Sequence, residues 1–84
     1  MFEIVLERAA EKELRRLPDQ VHDRVIEGIA ALATNPRPPG SKKLAGGKSN
    51  WRIRVGDYRV LYEIADIVSV VHVYRVRHRR DAYR

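Results

Sequence analysis

Hydrophobic positions recur at two spacings along this chain, and the change of spacing divides it into a helical part and a strand part. Residues 2–6 (Phe-Glu-Ile-Val-Leu) form a short run with β-branched content that predicts a strand. Ala10, Leu14 and Leu17 then follow at gaps of four and three, a narrow apolar stripe that predicts a helix over about residues 8–17. Pro18 breaks that run and suits the first turn of a second helix. Val21, Val25, Ile29 and Leu32 continue at helical spacing, with Ile26 and Ala33 widening the stripe, until Asn35-Pro36 stops it. From residue 51 the period falls to two: Trp51, Ile53 and Val55 share one face, Arg52 and Arg54 the other. Strands are expected at about 51–55, 58–64 and 68–76. The last is nearly continuous in β-branched residues and so belongs in the middle of a sheet.

The expected fold is α+β: one small domain over residues 1–84, β-α-α-β-β-β, with a helical hairpin packed on an antiparallel-rich sheet. Residues 36–50 hold three prolines, three glycines and three lysines (Lys42, Lys43, Lys48), with Leu44 the one large apolar residue. This stretch is longer than most connectors and reads either as a functional loop or as a solvated link. Gly56-Asp57 is a two-residue hairpin loop, with glycine supplying the positive φ. That loop pairs Val55 with Tyr58, Arg54 with Arg59, Ile53 with Val60 and Arg52 with Leu61. Arginines directly opposite one another repel. Their presence on a sheet face points to an anion.

Charge strengthens that expectation. The chain carries a net charge of +6. Residues 1–40 hold six Lys/Arg against seven Asp/Glu, and residues 41–84 hold eleven against four. The excess therefore lies on the strands, which favours nucleic acid or an acidic protein over a membrane surface. There is no cysteine, no apolar run near the length of a membrane span and no secretory apolar segment, so a cytoplasmic location is expected. A domain of this size buries only about 60–65% of its unfolded surface, so its stability is modest.

Two clusters carry candidate chemistry. Arg52, Arg54 and Arg59 present guanidinium forks suited to phosphate, and only Glu63 is acidic on the two hairpin strands. His78, Arg79 and Arg80 with Tyr83 form the second, combining a side chain that titrates near neutrality with a ring that stacks a base or orients a hydroxyl. Read as composition alone, the second is a basic chain end. His22 and His72 read as structural. No metal or cofactor is expected: metal-ligand spacing is lacking, and Gly46-Gly47-Lys48 lacks the spacing of a phosphate loop.

The element order, the hairpin from Trp51 to Tyr62 and the terminal His78-Arg79-Arg80-Asp81-Ala82-Tyr83-Arg84 resemble the RelE family of bacterial and archaeal toxins. Lys43-Leu44 followed by Gly46 is similar to that family's connector. The wider superfamily includes ParE-type toxins, which act on DNA gyrase. The resemblance implies a microbial-ribonuclease-like fold and a ribosome-dependent endoribonuclease that cuts mRNA in the A site. A ribose 2′-hydroxyl would attack the adjacent phosphate and leave a cyclic phosphate. It also implies an acidic, RelB-like antitoxin as partner. Under this likeness Arg52 and Arg54 match two basic positions of the first hairpin strand. Arg59 matches a phosphate-stabilising arginine, Arg79 one near the leaving group, and Tyr83 the tyrosine that orients the nucleotide. Arg77 stands where glycine is common and adds charge, and Lys42, Lys43, Lys48, Arg52, Arg77 and Arg80 are expected to hold RNA. Some relatives place lysine at the positions of Arg52 and Arg54. Arginine does not give up its proton, so Arg54 is expected to neutralise transition-state charge. His78 is then the chemical candidate for a base, unless catalysis rests on positioning and electrostatics alone. The alternatives are a ParE-like gyrase inhibitor without nuclease activity and a basic RNA-binding module without chemistry.

Overall fold

The computed structural model describes residues 1–46 and 50–82. Lys48 and Tyr83, both expected at the site, lie outside the described residues. The elements run β1 (Glu3–Leu6), α1 (Arg8–Arg15), α2 (Asp19–Ala31), β2 (Lys42–Lys43), β3 (Asn50–Val55), β4 (Tyr58–Ala65) and β5 (Val70–His78). The strands form one sheet in the order β1-β5-β4-β3-β2. β1 runs parallel to β5, and the other pairs are antiparallel. β5 lies inside the sheet, as its apolar run predicts.

Several boundaries differ from the expected ones: α2 ends at Ala31 and β5 runs on to His78, and three further differences have a local reason. α1 stops at Arg15, because the N–H groups of Arg16 and Leu17 turn back onto Glu13 and Leu14 in a tightened last turn. The connector adds a fifth strand: Lys42 pairs with Arg52 and Lys43 with Trp51. β5 begins at Val70 rather than 68, because Ala65 pairs with Val70 and leaves residues 66–69 as the turn. Ser69 closes that turn at φ 55, and Ile67 at its tip is fully exposed although β-branched.

The β3–β4 hairpin has the expected register pair for pair, from Val55 opposite Tyr58 to Arg52 opposite Leu61. Gly56 takes φ 58 in its turn, a conformation that L side chains adopt at a cost. β5 then breaks its own alternation. Tyr62 pairs with Val73 but Leu61 pairs with Arg75, so Tyr74 is the extra residue of a bulge. The bulge shifts the phase by one residue. Val76 lands opposite Val60 in the core, and Arg75 and Arg77 land on the other side.

The helices cover the sheet face of Ile53, Val60, Tyr62, Val73 and Val76, against which Leu14, Val25, Ile29 and Leu32 pack. α2 approaches β3 closely at Gly28, where an added Cβ would stand 3.1 Å from Val55 Cγ2. Tyr62 has no exposed surface, and its O–H donates to the Pro36 carbonyl at 2.7 Å. Burial pushes its phenol up to about 12, against an opposing hydrogen bond from Ser41 and the charge of Arg37. Next to it Arg37 lies 5.3 Å from the Trp51 ring and forms a two-pronged pair with Asp66, Nη1 to Oδ1 at 3.2 Å and Nη2 to Oδ2 at 2.8 Å. The bond to Arg37 holds the Asp66 carboxyl below its usual range. These contacts fasten the start of the connector to the helix side of the sheet.

Two outcomes follow for stability. Gly28→Leu forces α2 away from Val55 and lowers unfolding free energy by about 1–3 kcal/mol in urea titration. Tyr62→Phe leaves the Pro36 carbonyl without its donor and costs about 1–2 kcal/mol at neutral pH. The Tyr62 phenol is raised from 10 to about 12, so its contribution is complete below pH 10 and is lost as pH rises through about 12. Alkaline unfolding curves of the Phe variant lack that component.

Candidate nucleic-acid interface

The sheet face turned away from the helices carries the arginines in rows set by strand register. Arg54, Arg59 and Arg77 stand opposite one another across β3, β4 and β5. One step along, Lys42, Arg52, Leu61 and Arg75 form a second row across four strands. The next row holds Asn50, Glu63 and His72. Leu61 is only 6% exposed although no helix covers this side.

The guanidinium groups differ in how far they are satisfied. Arg59 curls back, its Nη1 donating to the carbonyls of Tyr58 at 3.1 Å and Gly56 at 3.3 Å. The hairpin turn thereby holds this head in place with its remaining N–H groups still available. Arg54 is exposed. Arg52 buries its Nη1, which has no hydrogen-bond partner among the described residues. A buried donor without an acceptor is costly. Arg79 lies at the turn: its N–H donates to the Asp57 carbonyl at 2.7 Å, and its Nε is 4.0 Å from Asp57 Oδ1.

One carboxylate reaches this cluster from outside the sheet. Glu13 on α1 accepts the Val76 N–H on Oε1 at 2.9 Å, taking the place of a neighbouring strand where β1 has ended. Its Oε2 is 3.4 Å from Arg75 Nη1 and 3.5 Å from Arg77 Nε. Neither Glu13 nor Arg75 was among the expected site residues. Glu13 makes its contacts across more than sixty residues and leaves no sequence signal. The signal for Arg75 was present: Val73 and Val76 are three apart, where an unbroken strand would place apolar residues two apart.

His78 is not brought to the arginine row. It pairs with Tyr58 on the helix side of the sheet, edge-on with ring centroids 5.4 Å apart. Its Nδ1 accepts the Arg80 N–H at 3.3 Å. Lys43, opposite Trp51, is also directed away from the arginine face, while Lys42, opposite Arg52, belongs to it. Arg80 is exposed just beyond β5.

Comparison with known proteins agrees with this architecture. The family model for the ParE toxin of the type II toxin–antitoxin system parDE matches residues 4–83. The chain belongs to the RelE/ParE family of type II toxins. This toxin is 35% identical over 79 residues to toxin RelG of Mycobacterium tuberculosis, covering 89% of this chain and 87% of RelG. It is 28% identical over 86 residues to a RelE1 toxin of Methanocaldococcus jannaschii, covering 99% and 96% of the two chains. Among solved structures, the archaeal RelE–RelB complex of Pyrococcus horikoshii contains a chain that superposes with a TM-score of 0.84 at 27% identity, covering 96% of this chain and 98% of that one.

The Glu13 contacts generate a graded expectation. Glu13→Ala removes both the Val76 acceptor and the counter-charge to Arg75 and Arg77, and costs about 1–3 kcal/mol of stability in urea titration. Glu13→Gln keeps an acceptor oxygen and loses less. Both variants elute from heparin at higher salt than the parent protein.

Proposed function

We propose that this toxin is a ribosome-dependent endoribonuclease that cuts mRNA in the A site, using a ribose 2′-hydroxyl as nucleophile and leaving a cyclic phosphate. The observation that carries the reading is the row Arg54–Arg59–Arg77, three guanidinium groups on adjacent strands of a helix-free face. In it Arg59, held by the turn carbonyls, stabilises the non-bridging phosphate oxygens. Arg54 neutralises charge that develops in the transition state. Arg79 serves the leaving-group side and Tyr83 orients the nucleotide, while Lys42, Arg52, Arg77 and Arg80 hold the flanking RNA. The placement of His78 beside Tyr58 favours a site without a dedicated side-chain base. Positioning on the ribosome and electrostatic stabilisation then supply the rate, and the isolated toxin is a poor nuclease. The site of action is the cytoplasm, where translating ribosomes are found.

The partner that silences the toxin is an acidic, RelB-like antitoxin. The Pyrococcus relative was solved as a RelE–RelB complex, and the +7 of residues 41–84 favours fast capture by an acidic chain. A second reading, a ParE-like inhibitor of DNA gyrase without nuclease activity, draws on the family model, which is that of the ParE toxin.

Mapping of RNA 5′ ends after induced expression separates the two. The ribonuclease reading expects new ends at in-frame positions inside translated messages, reduced about 10²–10³-fold by Arg59→Ala with the fold intact. Undiminished cleavage in both Arg59→Ala and Arg79→Ala would remove the assigned roles. DNA-damage signalling with translation initially unaffected would establish the gyrase reading instead.

A further inference from the structure

β5 ends in a turn whose two central residues are arginines. His78 is the last residue of the strand, and its carbonyl accepts the Asp81 N–H at 2.8 Å, which closes the chain over Arg79 and Arg80. The Arg79 N–H donates to the Asp57 carbonyl of the β3–β4 turn at 2.7 Å. Both arginines are exposed, and Ala82 just beyond them is buried. The turn presents two guanidinium groups and then returns the chain to the body of the protein.

The first position of such a turn favours Asp, Asn or Ser, because a short side chain there accepts the N–H two residues on. Histidine is outside that set, yet His78 makes the same bond with its ring. Its Nδ1 lies 3.3 Å from the Arg80 nitrogen. A backbone N–H only donates, so Nδ1 is the unprotonated nitrogen, and the proton of the neutral ring is on Nε2. Tyr58 stands edge-on to that ring at 5.4 Å between centroids. The amides of Arg79, Arg80 and Asp81 all have acceptors, and His78 supplies two of the three. A segment beyond the last strand is poorly ordered unless bonds of this kind tie it down.

We infer that His78 is a positioning residue whose Nδ1 holds the Arg79-Arg80 turn in the form that aims Arg79 at the leaving-group side of the phosphate. The inference deepens the ribonuclease reading above and takes the role of Arg79 from it; the turn stands on its own bonds. His78 touches no reacting atom. It acts through the backbone, and its imidazole serves as an acceptor, with no proton transferred.

Two substitutions separate the acceptor from the ring. His78→Asn loses the ring but supplies an acceptor oxygen, on a side chain that commonly makes this bond. His78→Phe keeps a ring edge for Tyr58 and has no acceptor. mRNA cleavage on programmed ribosomes is measured at saturating toxin, and solvent exchange of the Arg80 amide in isotope-labelled full-length toxin. His78→Asn is expected to cleave within about twofold of the parent and to keep the Arg80 amide protected. His78→Phe is expected to lose about tenfold or more in rate at unchanged affinity for the ribosome, with that amide exposed, because misplaced groups cost rate before binding. The ring nitrogen shifts of the parent at mildly alkaline pH are expected to report the proton on Nε2. Equal loss in both variants would show that the imidazole itself is required, as a proton carrier would be, and would overturn the inference. So would near-parental cleavage by His78→Phe, or a proton found on Nδ1. If the parent leaves mRNA uncut while protection of the Arg80 amide follows the acceptor, the ribonuclease reading and the role of Arg79 fall and the bond stands. If the Arg80 amide is equally exposed in parent and His78→Phe while the parent cleaves, the inference falls and the ribonuclease reading stands.

Discussion

A one-residue slip of phase in β5 decides where the charge of this protein can go. Were Tyr74 paired with Leu61 instead of bulged, continued alternation from Tyr62–Val73 would set Arg75 opposite Val60 in the core and turn Val76 outward. Burying an unpaired guanidinium there would cost several kcal/mol. With the bulge, two valines fill the core on either side of the slip, and two arginines join those of the hairpin. Glu13 acts one residue past the same irregularity. It occupies the Val76 N–H that the short β1 leaves open and partly offsets the charge assembled there. Sheet packing and the arginine face are therefore consequences of one local departure from regular pairing.

The face itself is unusual in being built on strands rather than loops. Register places Arg54, Arg59 and Arg77 in line on adjacent strands at the fixed spacing of a sheet. Such precision is obtained at the expense of mutual repulsion. The protein limits that expense by tying Arg59 to the hairpin carbonyls. On the opposite side Gly28 and the Tyr62–Pro36 bond keep helix and connector close to the sheet, which leaves the arginine face free of cover.

Much of this was legible in the sequence where short-range rules govern. The Gly56-Asp57 turn fixes the hairpin register, and with it the pairing of Arg54 and Arg59, because a two-residue loop admits one alignment. The helical stripes were visible for the same reason. What could not be read depends on distant contacts. The two residues of β2 look like any other part of a proline-rich connector until β3 lies beside them. Ile67 and Val68 are β-branched and were expected in a strand, yet the pairing of Ala65 with Val70 makes them a turn. His78 lies next to Arg77 and Arg79 in sequence, but its pairing with Tyr58 carries it to the far side of the sheet. Sequence proximity to the arginines was a poor guide to position because neighbouring strand residues face opposite ways.

The Nη1 of Arg52, buried without a hydrogen-bond partner among the described residues, subtracts from the stability of the free protein. A ligand that binds the folded arginine face and not the unfolded chain shifts the folding equilibrium toward the native state. The unliganded molecule is the form most often open to proteolysis, since degradation follows the population of unfolded chain. Occupancy of this face and the fraction of unfolded chain are thereby linked.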